Sequence, residues 1–140
     1  MTQFNTPISA IMTRLNANFT AIPVIGFNDD GEGEDLNGDF VVVKVMPDSS
    51  TVASINGPTN RIRTSGVIIF YIYTALNTGI QAGVDYADQI AAIFRQKSFD
   101  NVVCLSTRLA YQDKNEYNKK SLWLTQLVCG FFYDENFAIT

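Results

Sequence analysis

Residues Gly66 to Tyr73 read Gly-Val-Ile-Ile-Phe-Tyr-Ile-Tyr, the longest apolar run of the chain, inside a longer segment from Arg61 to Thr74 rich in β-branched residues. The run is far short of the ~20 residues a helix needs to cross a bilayer, so no transmembrane helix is expected. Its composition is that of a strand. Successive side chains of a strand point to opposite faces, so a strand apolar at odd and even positions alike has two faces to cover. Helices are expected on one of them. The other is expected to meet a second subunit, with Val67, Ile69, Tyr71 and Tyr73 as the candidate subunit-contact residues.

Two helical patterns can supply the first cover. Asn5 or Thr6 can cap a helix with Pro7 in its first turn, and Ile8, Ile11, Met12, Leu15 and Phe19 recur on one face, which predicts a helix from about Pro7 to Phe19. Thr78 followed by Gln81 fits a capping box for a second helix ending near Lys97, with Ile80, Val84, Ala87, Ala91 and Phe94 as its stripe. The small residues on that stripe allow close packing.

The other segments read as strands. Val24 to Phe27 is a short one, and Phe40 to Met46 a longer one that Pro47 is expected to end, with Asp48 to Pro58 as a connection. Asn101 to Gln112 and Lys120 to Tyr133 pair most simply as an antiparallel hairpin across the polar segment Asp113 to Lys119. A turn around Glu116 and Tyr117 would oppose Leu105 to Val128, Leu109 to Leu124, Tyr111 to Leu122 and Cys104 to Cys129. With 140 residues, 46% of them hydrophobic, there is material for one core and no internal repeat. The expectation is a single α+β domain over residues 1–140, a mixed or antiparallel sheet of about four to five strands with two main helices on one face.

Chemistry is sparse. The chain has no histidine, which removes the commonest general base and metal ligand together. No phosphate-binding glycine motif is present, and Thr78-Gly79 before a helix reads as the start of that helix. Asp35, Asn37 and Asp39 alternate like calcium ligands, but Phe40 stands where an EF-hand has glycine and Met46 where it has glutamate. Two cysteines outside any CxxC spacing read as buried free thiols. A net charge of -4 leaves no basic field for holding DNA or an anionic membrane. Met1 to Pro7 lacks the features of a secretory signal, which points to the cytoplasm. No catalytic residue, cofactor or metal is expected, and an interaction protein is favoured over an enzyme.

The segment Arg63-Thr64-Ser65-Gly66-Val67-Ile68-Ile69-Phe70-Tyr71-Ile72-Tyr73-Thr74 is similar to the central strand of tail terminator, or tail completion, proteins of long-tailed bacteriophages. Asn77-Thr78-Gly79, then Ala87 to Arg95 with Phe99 to Val102 following, and the ending Phe131-Phe132-Tyr133-Asp134-Glu135 agree in order. The resemblance spans about half the chain and rests on order, spacing and length. It implies a non-enzymatic virion protein, assembled in the host cytoplasm, that forms a hexameric ring at the tail or neck. Such a ring caps the tail tube, ends its growth and offers the head-joining surface. The partners implied are further copies of itself, the tail tube protein, a head-completion or neck protein, and DNA only in transit. The alternatives are another neck or tail ring subunit, such as a head-to-tail adaptor or tube protein, and, from a different class, a small-ligand-binding domain.

Residues 28–39 depart most from that family pattern. They hold Asp29, Asp30, Glu32, Glu34, Asp35 and Asp39 with three glycines and no basic residue, the composition of a solvated loop or hairpin tip. The outward solvated loop is the favoured reading. A competing one places the six acids at the lumen of a ring or at an interface, where they would repel passing DNA.

Overall fold

The computed structural model describes residues 4–27, 38–56, 59–117 and 120–138, with side chains for all of these except 53–56, 59 and 136–138. In chain order the elements are α1 (Asn5–Asn18), β1 (Val24–Gly26), β2 (Phe40–Asn56), β3 (Thr59–Thr74), α2 (Gln81–Phe94), β4 (Ser98–Phe99), β5 (Val102–Tyr117) and β6 (Lys120–Ala138). They build one α+β domain. Its sheet has six strands, ordered β1-β2-β3-β6-β5-β4, rather than four to five. Pairing is antiparallel except that β1 runs parallel to β2. The short β1 at one edge was expected, and the strand beyond the five expected is β4 at the other edge, only two residues long and without a periodicity to read.

Both helices lie on one face, as expected. There Ile68, Phe70 and Ile72 of β3 join Val41 and Val43 of β2 and Leu127, Cys129, Phe131 and Tyr133 of β6 beneath Ile11, Leu15, Ala87, Ile90 and Phe94 of the helices. The buried stripe of α2 is rotated from the expected one. Gly83 is buried while Ile80 is 53% exposed. A Cβ at Gly83 would collide with the Thr125 hydroxyl, so glycine lets the helix drop onto β6 and turns that side of it inward. The capping box does not form: the Thr78 hydroxyl donates to the Ala75 carbonyl at 2.8 Å, and the Gln81 amide donates to Asp85 at 2.7 Å.

The sheet curls into a half-barrel. Tyr117 of β5 packs on Phe40 of β2 with ring centroids 5.1 Å apart, although β3 and β6 lie between those strands. In a flat sheet three inter-strand steps of ~4.8 Å would hold the two backbones roughly 14 Å apart. Tyr73 completes the contact, 5.1 Å from Phe40 and 5.2 Å from Tyr117. The chain thereby closes one end of its second face upon itself, around Ile25, Phe40, Val42, Tyr73, Leu122 and Leu124.

Two sequence expectations about strands are corrected. β2 does not stop at Pro47. It continues to Asn56 through a bulge between Pro47 and Ser49, because among the described residues its outer neighbour, β1, pairs only with Val41 to Val43 and leaves Pro47 on an edge, where proline is tolerated. The hairpin strands run on to Tyr117 and Lys120, so the pairing is shifted: Leu109 faces Leu127, Tyr111 faces Gln126, and Cys104 faces Phe131. Arg108, not Leu105, opposes Val128.

Gly66 sits where β3 crosses the β2 bulge. A Cβ there would collide with the Met46 carbonyl oxygen and lie 2.8 Å from the Pro47 Cα and 2.9 Å from the Phe131 ring. Backbone cannot yield as a side-chain tip does. Gly66→Ala should therefore lower stability by about 1–3 kcal/mol, the range for overpacking, with Gly26→Ala, where nothing lies within 4 Å, as the control. Urea unfolding of both variants checks this, and equal small losses would show that the close approach is not a constraint.

Candidate interaction surface

The face of the sheet away from the helices divides into two parts. Around Tyr73 it is closed by the aromatic cluster, and Tyr73 is 8% exposed. The other three candidate contact residues, Val67, Ile69 and Tyr71, are only half-buried. By register Val67 adjoins Met46 and Gly130, Ile69 adjoins Lys44 and Val128, and Tyr71 adjoins Val42 and Gln126. Phe27, just after β1, stacks on Tyr71 at 6.4 Å, carries the Lys44 ammonium 4.4 Å above its ring, and stays 53% exposed. Met46, Leu105 and Tyr111 are exposed as well. The strand judged apolar on both faces is thus covered by helices on one face, by its own sheet at one end of the other, and incompletely along the rest.

The two sheet edges are also open. β4 pairs only with Val102 and Val103, and a bond from Gln96 N–H to the Leu105 carbonyl at 3.1 Å ends the protection of β5. On the other side, the Phe27 N–H donates to the Val43 carbonyl at 2.8 Å, and no described strand lies beyond Lys44. Among the described residues, long stretches of β2 and β5 therefore carry no further strand along the two ends of the sheet order. Bulges in both strands, with Pro47 in β2, blunt these edges against indiscriminate pairing.

At the far end of the open face, Asp134 of β6 holds two arginines of β3. Arg63 donates to it through Nε at 2.8 Å and an Nη at 2.9 Å, and Arg61 through an Nη at 2.6 Å. The Arg63 guanidinium also lies 4.0 Å from the centre of the Phe132 ring. The sequence gives no direct sign of this group, since its members are over 70 positions apart. Only the β3–β6 register, which sets Arg63 against Asp134, assembles it. The Arg63 hydrogen bonds hold the Asp134 carboxyl below its ordinary range, with Arg61 adding to the effect and burial opposing it.

Of the six acids, Asp29, Asp30, Glu32, Glu34 and Asp35 lie outside the described residues. Asp39 is half-buried and accepts a hydrogen bond from the Tyr86 hydroxyl of α2 at 3.1 Å, which ties the start of β2 to that helix. Among the described residues no group of His, Cys, Asp and Glu could hold a metal ion, and no helix is long and apolar enough to cross a membrane. A cavity of about 170 Å³ lies between the β3–α2 loop and the strands, lined by Leu76, Asn77, Gly79, Ile80, Lys114 and Trp123. A depression of about 360 Å³ runs along the polar side of α1, by Asn5, Ser9, Thr13 and Asp100.

A carboxylate whose pKa is depressed on folding adds stability above its unfolded pKa and loses that contribution as pH falls through the folded value. The stability difference between the wild type and Asp134→Asn should accordingly be full at neutral pH and shrink below about pH 4. It should be modest, since Arg61 and Arg63 are 50% and 38% exposed. Urea unfolding over a pH series measures it, and a difference independent of pH would refute the ionic origin.

No family model matches the chain, and no curated protein matches it. Thirteen solved chains match its fold. One of them, a protein whose name states no function, aligns over 99% of this chain and 99% of its own with a TM-score of 0.61 and 16% identity. At that identity the likeness is one of fold over the whole length.

Proposed function

We propose that this chain is a structural virion protein of a long-tailed bacteriophage, a tail terminator whose copies form a hexameric ring. The ring caps the tail tube, ends its polymerisation and provides the head-joining surface. Its partners are further copies of itself, the tube protein and a head-completion or neck protein, with DNA passing through. It works in the tail or neck of the virion after assembly in the host cytoplasm, and it is not an enzyme.

The observation that carries the self-assembly part is the half-covered face of Val67, Ile69 and Tyr71 between two open strand edges. A ring needs head-to-tail contacts, in which two different surfaces on opposite sides of one subunit meet. Edges on opposite sides of one sheet, flanking an apolar face, provide such a pair. The resemblance in segment order supplies the tail and the number six. A small-ligand domain is less well supported. Its pocket would ordinarily have ≈ 300–1,000 Å³ with mostly apolar walls. Among the described residues, the cavity by Trp123 is smaller than that, and the depression along α1 is an open one beside Asn5, Thr6, Ser9, Ala10, Thr13 and Asp100.

The test is assembly. Light scattering at high concentration and electron microscopy of the protein beside purified tail tubes should reveal closed rings at tube ends. Ile69→Asp and Tyr71→Glu, which place charge on the half-buried face, should abolish the rings while leaving the circular dichroism spectrum unchanged. Monomers alone, with no ring in the virion, would sink the proposal. Rings that tolerate both substitutions would move the contact away from this face.

The acidic segment has a separate role in this proposal, as a rim of the channel that repels the duplex. Clustered carboxylates reverse the sign of the counterion release by which basic proteins hold DNA. With Asp29, Asp30, Glu32, Glu34 and Asp35 changed to Asn or Gln, and Asp39 kept because it holds the Tyr86 hydroxyl of α2, tails should assemble normally and eject DNA more slowly. Unchanged ejection would make the segment an ordinary solvated loop.

A further inference from the structure

We propose that Cys104 and Cys129 form a latent cross-strand disulfide, a modification site at which a small-molecule disulfide oxidises the pair to one intramolecular bond. Both thiols lie in the core beneath the helices, 2% and 0% exposed. They sit on neighbouring strands but are not a directly opposed pair, since Cys104 faces Phe131 and Cys129 faces Thr107. The β5 bulge between those positions sets two residues of β5, Leu105 and Ser106, against the single Gly130 of β6, and it leaves both cysteines on the same face. Cys129 Sγ lies 3.8 Å from the carbonyl oxygen of Leu105, the residue after Cys104, so it sits beside the Cys104 backbone. No metal-binding group forms among the described residues to engage either thiol instead.

The pair is chemically differentiated. A hydrogen bond from Cys104 holds the Cys129 thiol below its ordinary range, and the same contact, with burial, pushes Cys104 up. Cys129 is therefore the first nucleophile. Its thiolate attacks one sulfur of the oxidant, forming a mixed disulfide and expelling one thiolate of the reagent. Cys104 then loses its proton and attacks Cys129 Sγ, closing the protein disulfide and expelling the second thiolate. Two protein thiols are oxidised, and one reagent disulfide is reduced to two thiols. Access requires only a local opening. On its outer side β5 is held by the two-residue β4 and the bonds from Gln96 and to Lys97, so this rim can open together with the end of α2 above it, which reaches the thiols beneath the helices without unfolding the domain.

The biological consequence rests on the virion reading, though the chemistry does not. A particle that assembles in a reducing cell and then leaves it would acquire a staple between β5 and β6 on release.

The full-length protein is incubated with oxidised glutathione, unfolded, alkylated with iodoacetamide and weighed. The expected product carries no alkyl group, is two hydrogens lighter than the reduced chain, and yields a linked peptide containing Cys104 and Cys129. Its thermal midpoint should rise on oxidation and return with reductant. Cys104→Ala and Cys129→Ala each keep one thiol, so neither should lose the two hydrogens. A wild-type product with two alkyl groups, a lasting glutathione adduct, or disulfide-linked dimers would overturn the proposal. The readout is a mass, so it stands or falls whether or not rings form.

Discussion

β3 lies between β2 and β6 with apolar side chains pointing both ways, and the other elements are arranged by the need to cover it twice. On one side the requirement is met by α1 and α2, which set Leu15, Ala87, Ile90 and Phe94 over Ile68, Phe70 and Ile72. On the other side none of the described helices lies, and the sheet bends until Phe40, Tyr73 and Tyr117 touch. Bending can close only one end. The middle of that face, at Val67, Ile69 and Tyr71, stays half open.

The bend depends on small local features. Gly66 allows the β2 bulge to press against β3, and Gly83 allows α2 to sit directly on Thr125. Burial between closely packed layers is worth roughly 25 cal/mol per Å² of apolar surface, so close approach converts directly into stability. The Arg61–Asp134–Arg63 group adds orientation more than energy, because both arginines are substantially exposed. It holds the distal ends of β3 and β6 in register beyond the last core residue of β3, at Thr64.

Where the reading of the sequence met the structure, period and register behaved differently. The helix at Ile11 and Leu15, the strand at Ile68 to Tyr73 and the pairing of β5 with β6 were legible, because apolar spacing directly reflects which side is buried. The hairpin register was not. Strand lengths and two bulges set it, and a bulge offsets the pairing by a residue without a signal of its own in the apolar pattern, so that Leu109 faces Leu127 rather than Leu124. Pro47 was read as a stop because proline breaks a central ladder, whereas here it stands on an open edge. Thr78 and Gln81 spell a capping box, but nearer acceptors at Ala75 and Asp85 take their donors.

Of the candidate surface, Val67, Ile69 and Tyr71 were visible in advance, as the odd positions of a strand with no polar side. Tyr73 shares their parity but not their exposure, because the curl buries it in the chain's own aromatic cluster. The arginine group, the open edges and the proximity of the two thiols likewise arise from pairings between distant segments. The sequence by itself determined where the two helices and the apolar parts of the main strands lie and that β3 has two apolar faces, since these follow from the order of neighbouring side chains along the chain. Only the tertiary structure decided how far the second face is covered. That depends on the curvature of the sheet, which long-range ladders, bulges and the contacts at Gly66 set together.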